Sequence, residues 1–108
     1  MLLRKRIHNL LNNQDYGKVL NILSKVNLDK LDKKEKSNYR LIKGILWELL
    51  GNFPKALDNY KKSLISFPKN VVAFQYQTQL LAVMGKYPLI YQRYRKILIQ
   101  IQNLRILS

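Results

Sequence analysis

The chain has no cysteine, a single histidine and only six acidic residues among its 108. Without cysteine it has no disulfide, no thiol nucleophile and no thiolate metal site. With His8 as the only histidine, a metal site built on paired histidines is excluded, and the usual base for activating a nucleophile is scarce. The four glycines are isolated, so no glycine-rich phosphate-binding loop is present. We therefore predict that the protein is not an enzyme and binds no cofactor or metal.

Long apolar runs are also missing. Lys or Arg interrupts every stretch before the ~18 apolar residues that a membrane span requires, so we predict no span. The N-terminal MLLRKRIHNLL is basic and amphipathic, as organelle transit peptides are, but it also matches the first helix of the repeat described below, which we favour. Abundant Lys, Asn, Ile and Tyr are typical of an A+T-rich coding sequence, as in an organelle genome, an endosymbiont or a parasite. We expect an intracellular protein of a mitochondrion or plastid.

Positive charge is in large excess, with 20 Lys and Arg giving a net charge of +14. This charge attracts nucleic acid, anionic membrane or an acidic protein partner, although it also serves solubility. The cluster at 93–96 is interleaved with Tyr91 and Tyr94, a combination that favours phosphate contact with base stacking. The candidate polyanion contacts are Arg4, Lys5, Arg6, Lys33, Lys34, Lys36, Arg93, Arg95 and Lys96.

The chain repeats itself at a spacing of 34 residues. GNFPKALDNYKKSL at 51–64 aligns with GKYPLIYQRYRKIL at 85–98, and the matches include both the glycines and the prolines. A fainter copy, QDYGKVLNILSKV, lies at 14–26, and the extra spacing falls in the charged connector 28–36. Periods of this length are typical of stacked helical repeats. We predict three helical hairpins in one domain.

Each copy has the pattern of a helix, a tight turn and a second helix. The run before Gly51 carries apolar residues at helical spacing, and Gly51 with Asn52 then ends the helix. Pro54 fits the first turn of the second helix, which ends at Phe67 and Pro68. The residues predicted to be on the buried sides are Leu41, Ile42, Ile45, Leu46, Leu49, Leu50, Ala56, Leu57, Tyr60, Leu64 and Ile65.

Residues 37–70 resemble the tetratricopeptide repeat family. The family's small, aromatic, glycine, alanine and proline positions are matched by Gly44, Trp47, Gly51, Phe53, Ala56, Tyr60, Ser63 and Pro68. Arg40 and Lys43 depart from the family's bulky apolar preferences. The last copy fits at Phe74, Gly85, Tyr87 and Tyr94 but not at Thr78, Ile90 or Gln102. Pentatricopeptide repeats, which bind single-stranded RNA, are similar in length, but the connector SFPKN looks tetratricopeptide-like.

The resemblance implies an all-α fold, a right-handed superhelical stack of antiparallel helical hairpins. One domain would cover 1–108, with hairpins at about 2–27, 37–67 and 71–104 and a long last helix. About three hairpins are needed because each one buries its apolar face only against its neighbours.

A partner-binding groove is also implied by the resemblance, since the first helices of such hairpins line a concave surface that takes a peptide or helix. Its residues here would be Asn38, Leu41, Ile45, Glu48, Val72, Gln75, Gln79 and Ala82. The cationic clamp with which the family's chaperone-binding members hold a terminal carboxylate is missing, so we predict no recognition of that kind. The expected ligand is an amphipathic helix or an extended apolar segment. Packing of Leu41, Ile45 and Val72 on neighbouring helices is the equally weighted alternative.

The last helix carries more apolar residues than a terminal helix needs. It either folds back as a cap or docks on another chain, and we favour docking because an exposed apolar surface is a liability without a partner. The docking residues would be Leu98, Ile101, Leu104, Ile106 and Leu107.

Two functions stay open at this point. The first is a protein-interaction scaffold, a small subunit or assembly factor of a larger and possibly organellar complex. The second is a basic structural RNA-binding component, such as an organellar ribosomal protein, that contacts phosphates without base specificity.

Overall fold

The computed structural model describes residues 2–86, 92 and 95–101, and it describes side-chain burial for 6–85, 92 and 95–101. Over these residues the only regular structure is helical, which confirms the all-α prediction for this part of the chain. The helices are α1 (Leu2–Asn12), α2 (Tyr16–Ser24), α3 (Lys33–Leu49), α4 (Phe53–Ser66) and α5 (Val71–Lys86), with a 3₁₀ turn at Leu28–Lys30 and helical residues at 95–101.

Helix α3 begins at Lys33, earlier than the predicted hairpin start at 37. The cause is a capping box at its N-terminus. The Glu35 backbone N–H donates to Asp32 Oδ1 over 2.8 Å, and the Asp32 N–H donates to Glu35 Oε1 over 3.4 Å. These two bonds satisfy backbone donors that would otherwise lack partners, so the helix extends into the segment predicted to be a charged connector.

The turn between α3 and α4 follows the sequence prediction. Gly51 has a φ of +82°, the left-handed conformation that ends many helices and that glycine adopts without strain. The Asn52 side chain accepts a hydrogen bond from the Lys55 N–H, and Pro54 occupies the first turn of α4. The repeat predicts an equivalent turn at Gly85, but α5 continues through Gly85 to Lys86.

The buried side chains form two clusters. The central cluster joins α3, α4 and α5 through Leu41, Phe53, Ala56, Tyr60, Ala73 and Leu80. The N-terminal cluster joins α2 to α3 through Val19, Leu20, Leu23 and Leu46. Trp47 packs against both clusters, and α3 packs most extensively on α4. Helix α3 is therefore the shared element between the two halves of the core.

Two residues predicted to be buried are exposed. Ile42 on α3 is 44% exposed, and Ile65 on α4 is 79% exposed. On α3, Leu41 is buried in the central cluster and Leu46 in the N-terminal cluster, while Ile42 lies outside both. The apolar residues thus extend around more of each helix than its neighbouring helices cover, and the sequence pattern does not distinguish the residues left outside.

Candidate functional site

Most of helix α5 is free of charged residues. No Asp, Glu, Lys or Arg occurs from Val71 to Gly85, in a chain that carries 20 Lys and Arg. The inner residues Ala73 and Leu80 are buried in the central cluster, while four large apolar side chains are between 46% and 64% exposed. We call these four residues, Val71, Val72, Phe74 and Leu81, the α5 face.

The predicted groove residues on α5 lie on or beside this face. Val72, Gln75, Gln79 and Ala82 are all exposed, as a contact surface requires. They are uncharged, so a partner placed there would not have to bring a compensating charge. Burying apolar atoms is favourable in proportion to the area removed from water, whereas neutral amides need hydrogen bonds to offset their burial. The α5 face thus suits an apolar segment flanked by polar groups.

The predicted groove residues on α3 are arranged differently. Asn38 is exposed, whereas Leu41 is buried in the central cluster and Ile45 is half-buried against it. Leu41 therefore packs within the chain, which is the alternative that the sequence left open for it. The two helices do not present their predicted residues equally, and α5 offers the larger accessible surface.

Glu48, the only acidic residue of the predicted groove, is held from within the chain. The Tyr60 hydroxyl donates to Glu48 Oε1 over 2.9 Å, and Tyr60 itself is fully buried. Burial raises the pKa of Glu48 above its ordinary value, and the hydrogen bond from Tyr60 opposes that rise in part. Glu48 thus has an internal structural partner in addition to its predicted contact role.

The position of α5 is fixed by a buried polar network. The Ser37 and Ser63 hydroxyls are 2.9 Å apart, and Ser63 Oγ donates to the Ser37 carbonyl over 2.7 Å. Asn70 Nδ2 donates to Ser37 Oγ over 2.8 Å, and Asn70 Oδ1 accepts from the Ala73 N–H at the start of α5. One asparagine therefore caps α5 and ties it to α3, which orients the α5 face.

The predicted docking residues at the C-terminal end fall into three groups. Leu98 is half-buried against the central cluster, so it packs within this chain, while Ile101 is exposed. Leu104, Ile106 and Leu107 lie outside the described residues. Arg95 Nε donates to the Gly51 carbonyl over 3.1 Å, so residues 95–101 contact the turn between α3 and α4. Leu98 therefore packs on its own chain, as in the cap alternative, and not on a partner, as the sequence analysis favoured.

The predicted polyanion contacts are only partly described. Arg6, Lys33, Lys34, Arg95 and Lys96 are exposed, and Lys36 is half-buried. Arg93 and the side chains of Arg4 and Lys5 lie outside the description. Tyr91 and Tyr94, predicted to interleave with the last cationic cluster, also lie outside it.

Arg40 and Lys43 of α3 and Lys62 of α4 form a cluster of positive charges that the sequence did not reveal. The pKa of Lys43 is lowered, first by burial and then by the nearby positive charges of Arg40 and Lys62. Lys62 is also paired with Asp58, with Nζ and Oδ2 3.1 Å apart. Lys62 is separated from Arg40 and Lys43 by about twenty residues of chain, so only the packing of the two helices brings them together.

Among the described residues, no group of three or more His, Asp or Glu side chains is placed to hold a metal ion. Within the same residues, every helix is too short or too polar to cross a bilayer.

Comparison with known proteins adds no assignment, because no protein-family model, curated protein or solved structure matches this chain.

Proposed function

We propose that this protein is a non-enzymatic protein-interaction scaffold, a small subunit or assembly factor of a larger complex, built as a superhelical stack of tetratricopeptide-like hairpins. The observation that carries the proposal is the uncharged α5 face, with four large apolar side chains exposed in a chain of net charge +14. An exposed apolar surface of this kind promotes aggregation of an isolated protein, whereas a partner that covers it gains binding energy from its burial.

The proposed partner contributes an apolar helix or extended segment. A helix can be accommodated because Val71, Phe74 and Leu81 recur at spacings of three and seven along α5, which is the pattern through which one helix packs on another. The sequential packing of α3 on α4 and α4 on α5 is compatible with the proposed stack. We further propose, from composition alone, an intracellular location in a mitochondrion or plastid.

The test is affinity purification of the full chain from native cells, followed by mass spectrometry and reconstitution with the purified partner. The informative variant is V72E/F74E, which places two carboxylates on the α5 face. Its matched control is I42E/I65E, which replaces two other exposed apolar residues and alters the net charge by the same amount. Circular dichroism melting checks that both variants fold.

The proposal predicts one partner that survives nuclease and raised salt, that is lost with V72E/F74E and that is kept with I42E/I65E. An apolar interface has little salt dependence, whereas phosphate binding weakens steeply with salt. Equal retention by both variants would show that the α5 face is not the contact.

A second candidate, a basic structural RNA-binding component, is favoured by the grouping of Arg40, Lys43 and Lys62. Burial lowers the pKa of Lys43 most, and the positive charges of Arg40 and Lys62 lower it further. A group of like charges at this spacing attracts phosphates. This candidate predicts co-purification with RNA that nuclease abolishes and affinity that falls steeply with salt, whatever the RNA sequence. Unchanged partners after nuclease treatment would count against it.

A further inference from the structure

A second surface lies between α1 and α2, at a distance along the chain from the α5 face. It is an open cleft of about 610 Å³, which we call the α1–α2 cleft. The residues that line it are Arg6, Lys18, Asn21, Ile22, Lys25 and Val26. A volume of this size is within the range of sites that hold ligands or buried side chains.

The cleft residues from α2 and its C-terminal end follow a helical stripe. Lys18, Asn21 and Ile22 are spaced as on one side of a helix that contacts another helix, and Lys25 and Val26 follow in the turn after α2 ends. The other stripe of α2, formed by Val19, Leu20 and Leu23, is already buried in the N-terminal cluster with Leu46 of α3. Helix α2 therefore has one covered stripe and one open stripe, and the open one can receive a further helix.

The chemistry of the cleft is apolar at the centre and cationic around it. Ile22 and Val26 are half-buried, while Arg6, Lys18 and Lys25 are exposed. None of the described lining residues is acidic, so the three cations have no partner of opposite charge within the cleft. An occupant that matches this arrangement combines apolar side chains with carboxylates at their flanks.

Other occupants are disfavoured by observations of the same kind. A second copy carries the same net charge of +14 and the same cationic cleft, so two copies repel one another there. The chain's own last residues, QNLRILS, contain an arginine and no acid. Single-stranded RNA held by base stacking would need an aromatic side chain, yet no described lining residue is aromatic, and Tyr16 packs against the N-terminal cluster. RNA held by phosphate contacts alone would leave the apolar side chains of Ile22 and Val26 without a matching partner.

We propose that the α1–α2 cleft binds an acidic amphipathic helix of a partner protein, whose apolar residues contact Ile22 and Val26 and whose carboxylates pair with Arg6, Lys18 and Lys25. This cleft is a second binding site, separate from the scaffold function proposed for the α5 face. Its partner is recognised through charge as well as apolar area.

The experiment uses the full chain and a labelled helical peptide of about 18 residues, long enough to form a helix. The peptide has a leucine stripe flanked by glutamates, and a second peptide carries glutamine at each glutamate. Fluorescence anisotropy measures the affinity of both peptides and of poly(U) RNA. We expect the glutamate peptide to bind at least about tenfold more tightly than the glutamine peptide, since about three charge pairs are gained.

The site is tested by two variants of equal charge. R6Q/K18Q/K25Q removes the three cations of the cleft, and K33Q/K61Q/K69Q removes three exposed lysines elsewhere. We expect the first variant to lose about tenfold in affinity for the glutamate peptide and the second to lose less than about threefold. Equal losses would mean that net charge alone attracts the peptide, and the proposal would be overturned.

The apolar centre is tested by I22Q against I42Q, which changes an exposed isoleucine outside the cleft. I22Q should weaken peptide binding several-fold and leave poly(U) binding unchanged, while I42Q should alter neither. A larger effect of R6Q/K18Q/K25Q on poly(U) than on the peptide would overturn the proposal in favour of a nucleic-acid surface. Val72 and Phe74 do not line the cleft. A negative result for the α1–α2 cleft therefore does not bear on the proposal for the α5 face, and a negative result for the α5 face does not bear on the cleft.

Discussion

The α3–α5 region and the α1–α2 region are both helical, but different interactions stabilise them. In the α3–α5 region, Phe53, Ala56, Tyr60 and Ala73 are fully buried, and side-chain hydrogen bonds join α3, α4 and the start of α5. In the α1–α2 region, burial in the N-terminal cluster joins the helices. The side-chain hydrogen bonds described there, such as Ser24 Oγ to the Asn21 carbonyl, are local.

The ends of the helices differ in the same way. At the starts of α3, α4 and α5, backbone N–H groups donate hydrogen bonds to the side-chain oxygens of Asp32, Asn52 and Asn70. Asp15, at the start of α2, makes no such side-chain bond. Capping bonds of this type each stabilise a helix by about 1 kcal/mol. The α3–α5 region thus has directional hydrogen bonds in addition to apolar burial, whereas the α1–α2 region depends mainly on burial.

Large-to-small substitutions in the two buried clusters should lower the free energy of unfolding more than any other change considered. Phe53→Ala should cost about 3–5 kcal/mol and destabilise the whole molecule, since Phe53 is fully buried in the cluster that joins three helices. Leu23→Ala should cost about 2–3 kcal/mol and act mainly on α1 and α2. Urea unfolding gives the two energies, and amide hydrogen exchange locates the loss. If Leu23→Ala deprotects α4 as much as α2, the two regions form one cooperative unit and the comparison fails.

A pair of glycines gives the next largest contrast. A Cβ at residue 44 would lie 2.6 Å from Cδ1 of the buried Tyr60 ring and 3.1 Å from the Ala56 carbonyl oxygen. Gly44→Ala should therefore cost about 1–3 kcal/mol through overpacking. A Cβ at Gly17 in α2 would meet no atom within 4 Å, so Gly17→Ala should stabilise by up to about 1 kcal/mol. Thermal melting of both variants checks the opposite signs, and a stabilising Gly44→Ala would refute the packing described here.

Substitution of the residues that precede α5 and α2 should also have different effects on stability. Asn70→Ala removes the cap of α5 and the bond to Ser37, and we expect a loss of about 1–2 kcal/mol. Asp15→Ala should change the free energy of unfolding by less than about 0.5 kcal/mol, because no side-chain cap bond is lost. Urea unfolding of the two variants measures the difference. Equal losses would show that the cap bonds do not distinguish the regions.

The smallest expected effect is a pH dependence at Glu48. Burial raises the pKa of Glu48 in the folded chain above the ordinary value of 4.5, so the folded state binds this proton more tightly than the unfolded state does. Its contribution to stability is thus fully present below the unfolded pKa and is lost as pH rises through the raised folded pKa. Glu48→Gln should remove this loss, because glutamine still accepts from Tyr60 and carries no charge.

The measurement compares the unfolding free energies of wild type and Glu48→Gln from pH 4 to pH 7. The two should be nearly equal at the acid end, with the variant slightly more stable at neutral pH. Asp58→Asn, which alters an exposed ion pair with Lys62, is the control and should show no such gain. A Glu48→Gln variant that is less stable at neutral pH would mean that the charge of Glu48 is favourable in the fold.

Much of the fold followed from local features of the sequence. Helical spacing, the positive-φ glycine at Gly51 and the proline at Pro54 predicted the α3–α4 turn, and Phe67 predicted the end of α4. The start of α3 was missed, although the capping pair Asp32 and Glu35 was present in the sequence. These features act within a few residues of chain, which is why spacing alone can reveal them.

The candidate sites were less predictable. Val72, Gln75, Gln79 and Ala82 were chosen from a family resemblance and are exposed, but Leu41, chosen in the same way, is buried. The grouping of Lys43 with Arg40 and Lys62, and that of Arg6 with Lys18 and Lys25, was not foreseen. Whether these side chains are buried, exposed or grouped depends on how separate helices pack, which local sequence spacing does not reveal.

Local sequence features were enough to predict that the described chain is helical, where α3 ends and where α4 begins and ends, and the composition gives its large positive charge. Only the tertiary structure decided which apolar residues became core and which stayed exposed, as Leu41 and Ile42 show side by side. Helix formation depends on neighbours three and four residues away, whereas burial depends on which distant helix covers a given face. The α5 face and the α1–α2 cleft are two surfaces that no other described helix fully covers.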